Sequence, residues 1–536
     1  MNFLNPYLNS EELEFYENIK NFSKSRVLPG VEDRDEKALW SRELWKEMGE
    51  IGLNGIAIPE EYGGQGGNCM QCCIASEAFS SGASDGGLGL AWGAHTIIGT
   101  MPIVLFGTKE QKEKYLPKLA TGEWIAGLGL TEPGSGSDAA ALLTRARPEG
   151  NHFVVNGSKM FITNGPVGKV FICMIRTKEG ESRGPLGISA FIIENNFKGF
   201  SVGKVLKKLG MHTSTTSELI FDEMRVPEEN LLGPLHSGFL RIGKATLEWE
   251  RTVLVASTSG MEEFVLERSL RYARERKQFG KSIITFPAIR EKLAKNWVYL
   301  QASRRYIYYV ARAKDRGESL PMQASILKLL ATEPGEEIAH EGVQIHGGYG
   351  YMREYHMERI YRDVKLGTIG AGSSEVMRSI ISSIYPGYDK FIESMQGMND
   401  EETRNSSENV YRDSIAGELE VLYELETLLK EVSATIKKFP GQTENFAFAN
   451  LILVYSALKQ AFWDCNTNSG SYKISDKKRD FALLTYFLIS KYFQSFHILQ
   501  KIIPDGSRRF LIAFLNMKSI DELIHDCVNY LERSDT

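Results

Sequence analysis

Leu247-Glu248-Trp249-Glu250-Arg251-Thr252-Val253-Leu254 is the stretch around which this chain is organised. It places carboxylates at the beginning of a long run of apolar and small residues with helical spacing. A second segment, residues 369–378 (Ile-Gly-Ala-Gly-Ser-Ser-Glu-Val-Met-Arg), has the outline of a substrate-binding turn but carries Ala371 where an acid might be expected. We predict that Glu250 on the helix is the catalytic base that this turn lacks.

Length and composition indicate a folded protein of several units. A chain of 536 residues exceeds what one hydrophobic core usually supports, so about three or four units are expected. Its hydrophobic content of 42% and charged content of 24% are ordinary globular values. The net charge of -5 and the lack of a long Lys/Arg block argue against a nucleic-acid partner.

The cysteines and the first residues bear on the compartment. Three of the six cysteines, Cys69, Cys72 and Cys73, lie together, but no second Cys pair or His pair completes a zinc site. Buried thiols in a reducing compartment are the favoured interpretation, with no metal. Residues 1–21 carry four glutamates and no long apolar run, unlike a secretory signal or an Arg-rich transit peptide. The sequence therefore predicts a cytoplasmic protein.

The hydrophobic period changes along the chain and predicts an α+β multidomain fold. Thr108 and Gln111 have the spacing of a capping box at a helix start. Asn156-Gly157 between β-rich runs predicts a two-residue hairpin. The predicted units are an N-terminal α-helical domain (1–124), a middle β-barrel or β-sandwich domain (125–236), a C-terminal four-helix bundle (237–387), a flexible linker (388–410) and an extra C-terminal helical domain (411–536).

The C-terminal extension reads as folded helix. Leu422, Leu425 and Leu429 step by three and four residues, which is typical of an amphipathic seam. Residues 481–499 are strongly apolar, but Lys491 interrupts them after ten residues, too few to cross a bilayer. A buried helix is favoured. The alternative is a helix lying on another subunit or on a membrane surface.

The glycine-rich motifs of common nucleotide sites are absent. No Gly-x-Gly-x-x-Gly follows a strand, and neither a P-loop nor a Gly-x-Ser-x-Gly elbow occurs. Four Gly/Ser/Thr-rich segments occur instead, at 130–138, 161–165, 274–280 and 344–350. In this order and spacing they resemble the acyl-CoA dehydrogenase family, over essentially all of residues 5 to 385. The resemblance implies FAD bound between the β domain and the bundle.

The resemblance assigns cofactor roles to residues of the β domain and the downstream turn. Thr131 matches the contact to the pyrimidine edge of the flavin, and Thr163 matches a hydroxyl near the reactive ring nitrogen. Ser137 lies near the pyrophosphate in such members. Phe161 stands where many members carry Trp and can still pack on the flavin. Ser373 of the downstream turn completes this part of the cofactor set.

A second group of cofactor residues comes from the bundle. Arg276 and Phe279 match residues that reach the FAD of a neighbouring subunit, where a guanidinium suits a pyrophosphate. Gln344 matches an adenosine-side contact, together with the backbone at Gly347 and Gly348, where missing side chains allow close approach.

The implied reaction is α,β-dehydrogenation of an acyl thioester. A base removes a proton from the carbon next to the carbonyl, and hydride leaves the following carbon for the flavin. In the family a ribityl hydroxyl and one backbone N–H, here that of Ala371, polarise the carbonyl. Most members carry the base at the position of Ala371. The isovaleryl and mammalian long-chain types carry it on the bundle helix directly before an Arg, which matches Glu250 and Arg251. Burial can raise such a glutamate to a pKa of about 6–7.

Residues near the base bear on the substrate. The residues assigned to substrate binding are Ser137, Arg251 and Gly370. Gly370 removes a side chain that narrows the pocket in medium-chain members, so branched chains would fit. The small residues Ala91, Gly93 and Ala94 permit a long chain, although Trp92 among them intrudes. Glu248, two residues before Glu250, is expected to face another side of the helix.

The extension resembles that of very-long-chain acyl-CoA dehydrogenases, where it fills the space of a second dimer. A homodimer is therefore expected, acting on a medium-to-long-chain, branched or unbranched, fatty acyl-CoA in fatty acid β-oxidation. Electron-transfer flavoprotein is the expected acceptor. Two alternatives stay open: an acyl-CoA oxidase that uses O2, and a catalytically silent flavoprotein scaffold. The residues do not distinguish a CoA thioester from a carrier-protein thioester.

Overall fold

Seven α-helices fill the described part of residues 5–124. The computed structural model describes residues 5, 7–178, 180, 184–384, 416–436, 441–466, 474–502 and 520–533. The helices are α1 (Ser10–Phe22), α2 (Val31–Glu36), α3 (Arg42–Glu50), α4 (Cys69–Ala83), α5 (Gly86–Gly93), α6 (Met101–Phe106) and α7 (Lys109–Ala120). The predicted capping box starts α7: the Gln111 N–H donates to the Thr108 hydroxyl, and the Thr108 N–H donates to the Gln111 side chain.

The cysteines and one apolar segment lie inside this helical region. Cys69, Cys72 and Cys73 are buried, unbridged thiols of α4. In the described part of the chain, residues 86–106 are long and apolar enough to span a membrane by length and composition, but 72% of that window is buried within the protein. A π-helical turn, Ala94–Thr100, joins α5 to α6 inside this segment. Packing in the protein core accounts for its apolar character.

An eight-stranded sheet forms the middle of the chain. Its strands are β1 (Ala126–Gly129), β2 (Arg145–Glu149), β3 (His152–Thr163), β4 (Val170–Arg176), β5 (Ile188–Glu194), β6 (Phe200–Val205), β7 (Thr216–Pro227) and β8 (Leu231–Leu232). The order is β6-β7-β3-β2-β4-β5-β8, and β1 pairs with β4 in parallel.

The sheet curls over its own apolar core. Phe171 of β4 stacks on Phe200 of β6 with ring centroids 5.8 Å apart. These strands are four places apart in the sheet order, which would separate them by about 19 Å in a flat sheet. Phe153 of β3 contacts Phe191 of β5 edge to face, with ring centroids 5.0 Å apart, although these strands are three places apart. The opposite face of β4 and β5 packs against α6 and α7.

The predicted hairpin at Asn156-Gly157 is wrong. β3 runs straight through these residues, and the turn between β2 and β3 lies at residues 150–151. Gly157 forms an irregularity in the pairing of β3 with β7, at φ 141°. A Cβ there would lie 2.6 Å from the Thr144 hydroxyl, so the glycine is required by a close approach between strands and not by a turn.

Helices return after the sheet and form the bundle. One continuous helical segment comprises the π-helical turn Gly238–Gly243, α8 (Lys244–Trp249), a second π-helical turn Glu250–Leu254, and α9 (Val255–Glu275). A two-stranded hairpin follows, β9 (Lys277–Gln278) and β10 (Lys281–Ser282), and then come α10 (Pro287–Asp315), α11 (Pro321–His346), α12 (Met357–Val364) and α13 (Ser374–Ile384). The bundle shares one hydrophobic core with the N-terminal helices.

The described part of the extension is helical, as predicted. It comprises α14 (Ala416–Ile436), α15 (Gln442–Asn466), α16 (Ile474–Lys491), α17 (Phe493–Ile502) and α18 (Ile520–Arg533). The predicted linker, 388–410, lies outside the described residues.

The extension packs on the bundle through apolar and polar contacts. Phe481, Leu488 and Leu499 are buried, which favours the packed interpretation of residues 481–499. Lys491, the charge that interrupts this apolar run, pairs with Glu337 of α11 at 3.1 Å. The Trp297 indole N–H of α10 donates to Asp480 at 2.9 Å.

A polar cluster ties the extension to α13. The Arg378 guanidinium donates to Asn450 of α15 at 2.7 Å and pairs with Glu333 of α11 at 2.7 Å. The Tyr492 hydroxyl, which follows α16, donates to the same Glu333 carboxylate at 2.9 Å. The helix that begins directly after the downstream turn is thus held from both the bundle and the extension.

Candidate functional site

Glu250 lines a deep cavity between the N-terminal helices and the bundle. Counted with its open mouth, the cavity encloses about 1110 Å³ of empty space. Gly370 and Ala371 of the downstream turn line the same cavity, so the two segments predicted to complement each other meet here. Other walls come from α4, α5, α9 and α11. Glu250 itself opens the π-helical turn between α8 and α9.

The environment of Glu250 suits a base. Burial raises its pKa to about 7, while the positive charges of Arg251 and Lys328 oppose this rise. The side chain is half-buried and lines the cavity. Among the described residues, no hydrogen bond or ion pair engages the carboxylate. It is therefore free to accept a proton near neutral pH.

Glu248 faces elsewhere, as predicted. Its carboxylate pairs with Lys314 at 2.7 Å and accepts the Leu320 N–H at 3.2 Å, both away from the cavity. Glu248 is therefore a structural residue at the junction of α8, α10 and α11.

The downstream turn has a left-handed backbone held by two cations. Ala371 has φ 54° and Gly372 has φ 97°, a region that L side chains rarely adopt. The Arg251 guanidinium donates to the Ala371 carbonyl at 3.0 Å, and the Lys328 ammonium donates to the Gly372 carbonyl at 2.6 Å. No hydrogen bond from the Ala371 N–H to another described residue is present. This N–H is thus free to serve a ligand in the cavity.

Lys328 is a site residue that sequence reasoning missed. It lines the cavity and is 1% exposed. The signal was present in the sequence, since Lys328 is a single charge in the run Ile326-Leu327-Lys328-Leu329-Leu330. A lysine inside an apolar helical stretch is rarely buried without a specific partner.

The β-domain candidates do not line the cavity, but the loop and the strand that carry them are joined to each other and to α5. The Met160 N–H donates to the Thr131 carbonyl at 2.9 Å, which joins the 130–138 loop to β3. Asn164, one residue after Thr163, donates to the Ala91 carbonyl of α5 at 2.9 Å. The end of β3 is thereby fixed to a cavity wall. Phe161 is 65% exposed at φ 62°, so a large ring is presented outward.

The loop bearing Ser137 has a fixed base and an open tip. Glu132 pairs with the buried Lys159 ammonium at 2.7 Å and accepts the Thr144 N–H at 3.0 Å. Ser137 is exposed. In the downstream turn, the half-buried Ser373 hydroxyl accepts the Val376 N–H at 3.4 Å at the start of α13. No hydrogen bond joins Ser137 to Ser373 among the described residues.

The bundle candidates divide between a second cavity and the open surface. Arg276, Gly347 and Gly348 line a cavity that encloses about 950 Å³ of empty space counted with its mouth. A Cβ at either glycine would meet nothing within 4 Å, which leaves the backbone open to close approach. Gln344 and Phe279 do not line this cavity. Phe279, at the tip of the β9–β10 hairpin, is 93% exposed.

Two predicted pocket residues are corrected. Ala91 and Ala94 do not line the cavity, whereas Gly89, Leu90 and Gly93 do. The reason is helix geometry, since successive residues of α5 are turned by about 100° and Ala91 lies off the face that Gly89, Leu90 and Gly93 present to the cavity. Trp92 does line the cavity, and its indole N–H donates to the Leu53 carbonyl at 2.9 Å, which fixes the ring.

Comparisons with known proteins find the acyl-CoA dehydrogenase family along most of the chain. The N-terminal domain of acyl-CoA dehydrogenases matches residues 9–123, the middle domain matches 127–224 and the C-terminal domain matches 236–385. An acyl-CoA dehydrogenase of Bacillus subtilis is 39% identical over 376 residues, 70% of this chain and 98% of the relative. The mitochondrial isovaleryl-CoA dehydrogenase of Arabidopsis thaliana is 39% identical over 372 residues, 69% of this chain and 90% of the relative.

Solved structures agree. The crystal structure of an acyl-CoA dehydrogenase from Bacillus anthracis complexed with FAD covers 99% of this chain, and this chain covers 96% of it, with 29% identity and a TM-score of 0.85. The prolyl acyl carrier protein oxidase AnaB is 34% identical, with a TM-score of 0.68, over 70% of this chain and 99% of its own. The extension is therefore a feature shared with the Bacillus anthracis protein.

The residues present suit FAD. Arg276 offers a guanidinium at the second cavity, 5.7 Å from the Tyr349 ring, and no ion pair among the described residues engages it. A guanidinium suits a pyrophosphate, and the open space at Gly347 and Gly348 allows a ligand to approach the backbone closely. The exposed ring of Phe161 offers an apolar face for a planar ring system. Sequence, fold and site agree that this chain belongs to the acyl-CoA dehydrogenase family.

Proposed function

We propose that this protein is an FAD-dependent dehydrogenase that converts a medium-to-long-chain fatty acyl-CoA, branched or unbranched, to its trans-2-enoyl-CoA in fatty acid β-oxidation. The observation that carries the proposal is that Glu250 and the Ala371 N–H line one cavity, each without a partner among the described residues. A base and a hydrogen-bond donor are the two protein groups that removal of an α-proton requires.

The two groups act on neighbouring atoms of the substrate. FAD, when bound, supplies the hydride acceptor. The Ala371 N–H donates to the thioester carbonyl oxygen, on which negative charge develops as the adjacent C–H bond breaks. Glu250 accepts that proton. Arg251 holds the Ala371 carbonyl at 3.0 Å and so fixes the turn that presents the N–H.

The cavity supports an acyl group wider than a straight chain. Gly370 lines the cavity, and the nearest atom to a Cβ added there would be the Leu366 carbonyl oxygen at 3.5 Å, an ordinary contact. The absence of a side chain leaves width near the reacting carbons. Electron-transfer flavoprotein is the acceptor that we propose.

Flavin reduction by defined thioesters tests the proposal. We expect isovaleryl-CoA, octanoyl-CoA or palmitoyl-CoA to bleach the yellow flavin of the purified protein under anaerobic conditions, because each carries the α-proton and β-hydride that the site removes. Stopped-flow absorbance would rank the three. If none of the three, nor any other chain length, bleaches the flavin, the protein is a silent scaffold and the proposal is wrong.

An oxidase is the second candidate, and the similarity to a prolyl acyl carrier protein oxidase favours it. The same preparations distinguish the two. Substrate-dependent hydrogen peroxide in air, without an added acceptor, identifies an oxidase. Turnover that requires electron-transfer flavoprotein identifies a dehydrogenase. Parallel assays with the acyl group on CoA and on a carrier protein show which thioester is used.

We further propose a homodimer. The extension covers the bundle at α10, α11 and α13 through contacts such as Trp297 with Asp480 and Lys491 with Glu337. A second dimer would need this surface in a tetramer of the family type. Light scattering on the FAD-loaded protein is expected to give the mass of two 60.2-kDa chains. A mass of four chains would contradict the proposal.

A further inference from the structure

Lys328 combines deep burial with a single direct partner. Its ammonium donates to the Gly372 carbonyl at 2.6 Å. No carboxylate of the described residues lies within 4.0 Å, although ion pairs elsewhere on α11 engage Glu333, Glu336, Glu337 and Glu341. A buried ammonium satisfied by one carbonyl is costly for folding. Burial, and then Arg251, lower the pKa of Lys328 to about 8.

The charges around Lys328 come from each element packed against it. Glu250 and Arg251 face it from the π-helical turn, Glu333 from its own helix and Glu375 from α13. Asp85 and Asp363 line other parts of the same cavity. Glu250 is the carboxylate that burial leaves without a partner, and Lys328 is one of two cations that act on it.

We propose that Lys328 is a positioning residue for this reaction, with two separable effects. Its hydrogen bond to Gly372 holds the left-handed turn that keeps the Ala371 N–H at the cavity, and its positive charge favours the ionised form of Glu250. This inference deepens the proposed function and rests on it.

The two effects are separated by three substitutions. Lys328→Arg keeps both the charge and a donor. Lys328→Gln keeps a shorter donor and removes the charge. Lys328→Met removes both while keeping an unbranched side chain of similar length. Because Gln and Arg remain polar, they keep the inference testable if Lys328→Met does not fold.

The charge effect is measured from the acid limb of the pH profile of kcat/KM, that is, from the pH range in which kcat/KM falls as the pH is lowered. Glu250 acts when deprotonated, so the rate falls as the pH falls through about 7. Loss of a nearby positive charge raises the pKa of Glu250. The limb is therefore expected to move up by about one pH unit in Lys328→Met and Lys328→Gln. In Lys328→Arg it stays near the wild-type position.

The hydrogen-bond effect is read from the rate above that limb. We expect kcat at the plateau to fall by roughly 10–100-fold in Lys328→Met, because the turn loses one of its two anchors. Lys328→Gln is expected to lie between Met and wild type. KM is expected to change less than kcat, since Lys328 does not need to contact the acyl chain.

A readout without turnover separates this inference from the proposed function. Infrared titration of the FAD-loaded protein follows the protonated carboxyl band of Glu250, assigned by its loss in Glu250→Gln. This band is expected to titrate at higher pH in Lys328→Met than in wild type. The measurement holds even if no thioester reduces the flavin, so failure of the proposed activity does not decide the role of Lys328.

Lys295→Met is the matched control. Lys295 of α10 pairs with Glu337 at 2.6 Å and Glu341 at 2.8 Å on α11, away from the turn. Its loss is expected to lower Tm without moving the limb or the infrared titration. The inference is overturned if Lys328→Met, or Lys328→Gln in its place, leaves both the Glu250 titration and the plateau at wild-type values. An equal shift in Lys295→Met overturns it as well.

Discussion

Glu250→Gln is expected to lower the rate of flavin reduction by about 10⁴-fold while FAD and acyl-CoA still bind. The amide has the same shape as the carboxyl group but cannot accept the α-proton. No hydrogen bond or ion pair of Glu250 with another described residue is lost, so the cavity keeps its form. Anaerobic stopped-flow absorbance measures the reduction, and the spectral shift of the flavin on titration with an enoyl-CoA measures binding.

Two companion variants sharpen this test. Glu248→Gln changes a glutamate two residues away that is engaged with Lys314, and it should reduce flavin at nearly the wild-type rate. Ala371→Glu in the Glu250→Gln background is expected to recover part of the activity, because residue 371 lines the same cavity. Near-normal turnover of Glu250→Gln would show that another group removes the proton.

Arg304→Met is expected to lower the free energy of unfolding by about 3–5 kcal/mol. Arg304 is fully buried between two buried carboxylates, with its Nε 2.5 Å from Glu77 and a further ion pair to Glu263. The Tyr308 hydroxyl donates to Glu77 at 2.6 Å, and the Tyr16 hydroxyl donates to Glu263 at 3.0 Å. Removal of the guanidinium leaves Glu77 buried without a counter-charge and leaves Glu263 with the Lys20 ammonium alone.

The same network joins α1 and α4 to α9 and α10, so the substitution is expected to destabilise the interface between the N-terminal helices and the bundle. Unfolding in urea, followed by circular dichroism and by release of flavin, measures it. Arg316→Met removes an exposed pair with Glu318 and should change stability little. Adding Glu77→Gln to Arg304→Met should restore part of the stability, because Glu77 is the carboxylate left without a counter-charge. A wild-type unfolding curve for Arg304→Met would contradict the expectation.

The helix–β–helix order was predictable because each unit keeps one hydrophobic period over many residues. The meeting of Glu250 with residues 370 and 371 was predictable from the family resemblance, because members without an acid on the turn carry it on the bundle helix directly before an Arg. The hairpin failed because Asn-Gly is equally compatible with a strand irregularity when a neighbouring strand approaches closely, here at Thr144. That approach is a tertiary contact, and local sequence does not carry it.

Cavity residues were harder to predict than the base. Which of residues 89–94 face the cavity depends on the rotation of α5 about its own axis, and tertiary packing sets that rotation. The role of Lys328 was not predicted because its partner is a backbone carbonyl 44 residues away in sequence. A side-chain pattern can indicate complementary charges, but it does not show which backbone carbonyl needs a hydrogen-bond donor.

The contacts of Arg378 predict what truncation of the C-terminal extension would remove. Arg378 lies one helical turn beyond Ser374, where α13 begins. Its guanidinium donates hydrogen bonds to Asn450 and to Glu333, and the Tyr492 hydroxyl donates to the same Glu333. Truncation of the extension removes Asn450 and Tyr492, so that Arg378 keeps only Glu333 while Arg251 and Lys328 still hold the turn at residues 371–372. The C-terminal extension therefore stabilises the first turns of α13, which directly follow the turn at residues 370–372.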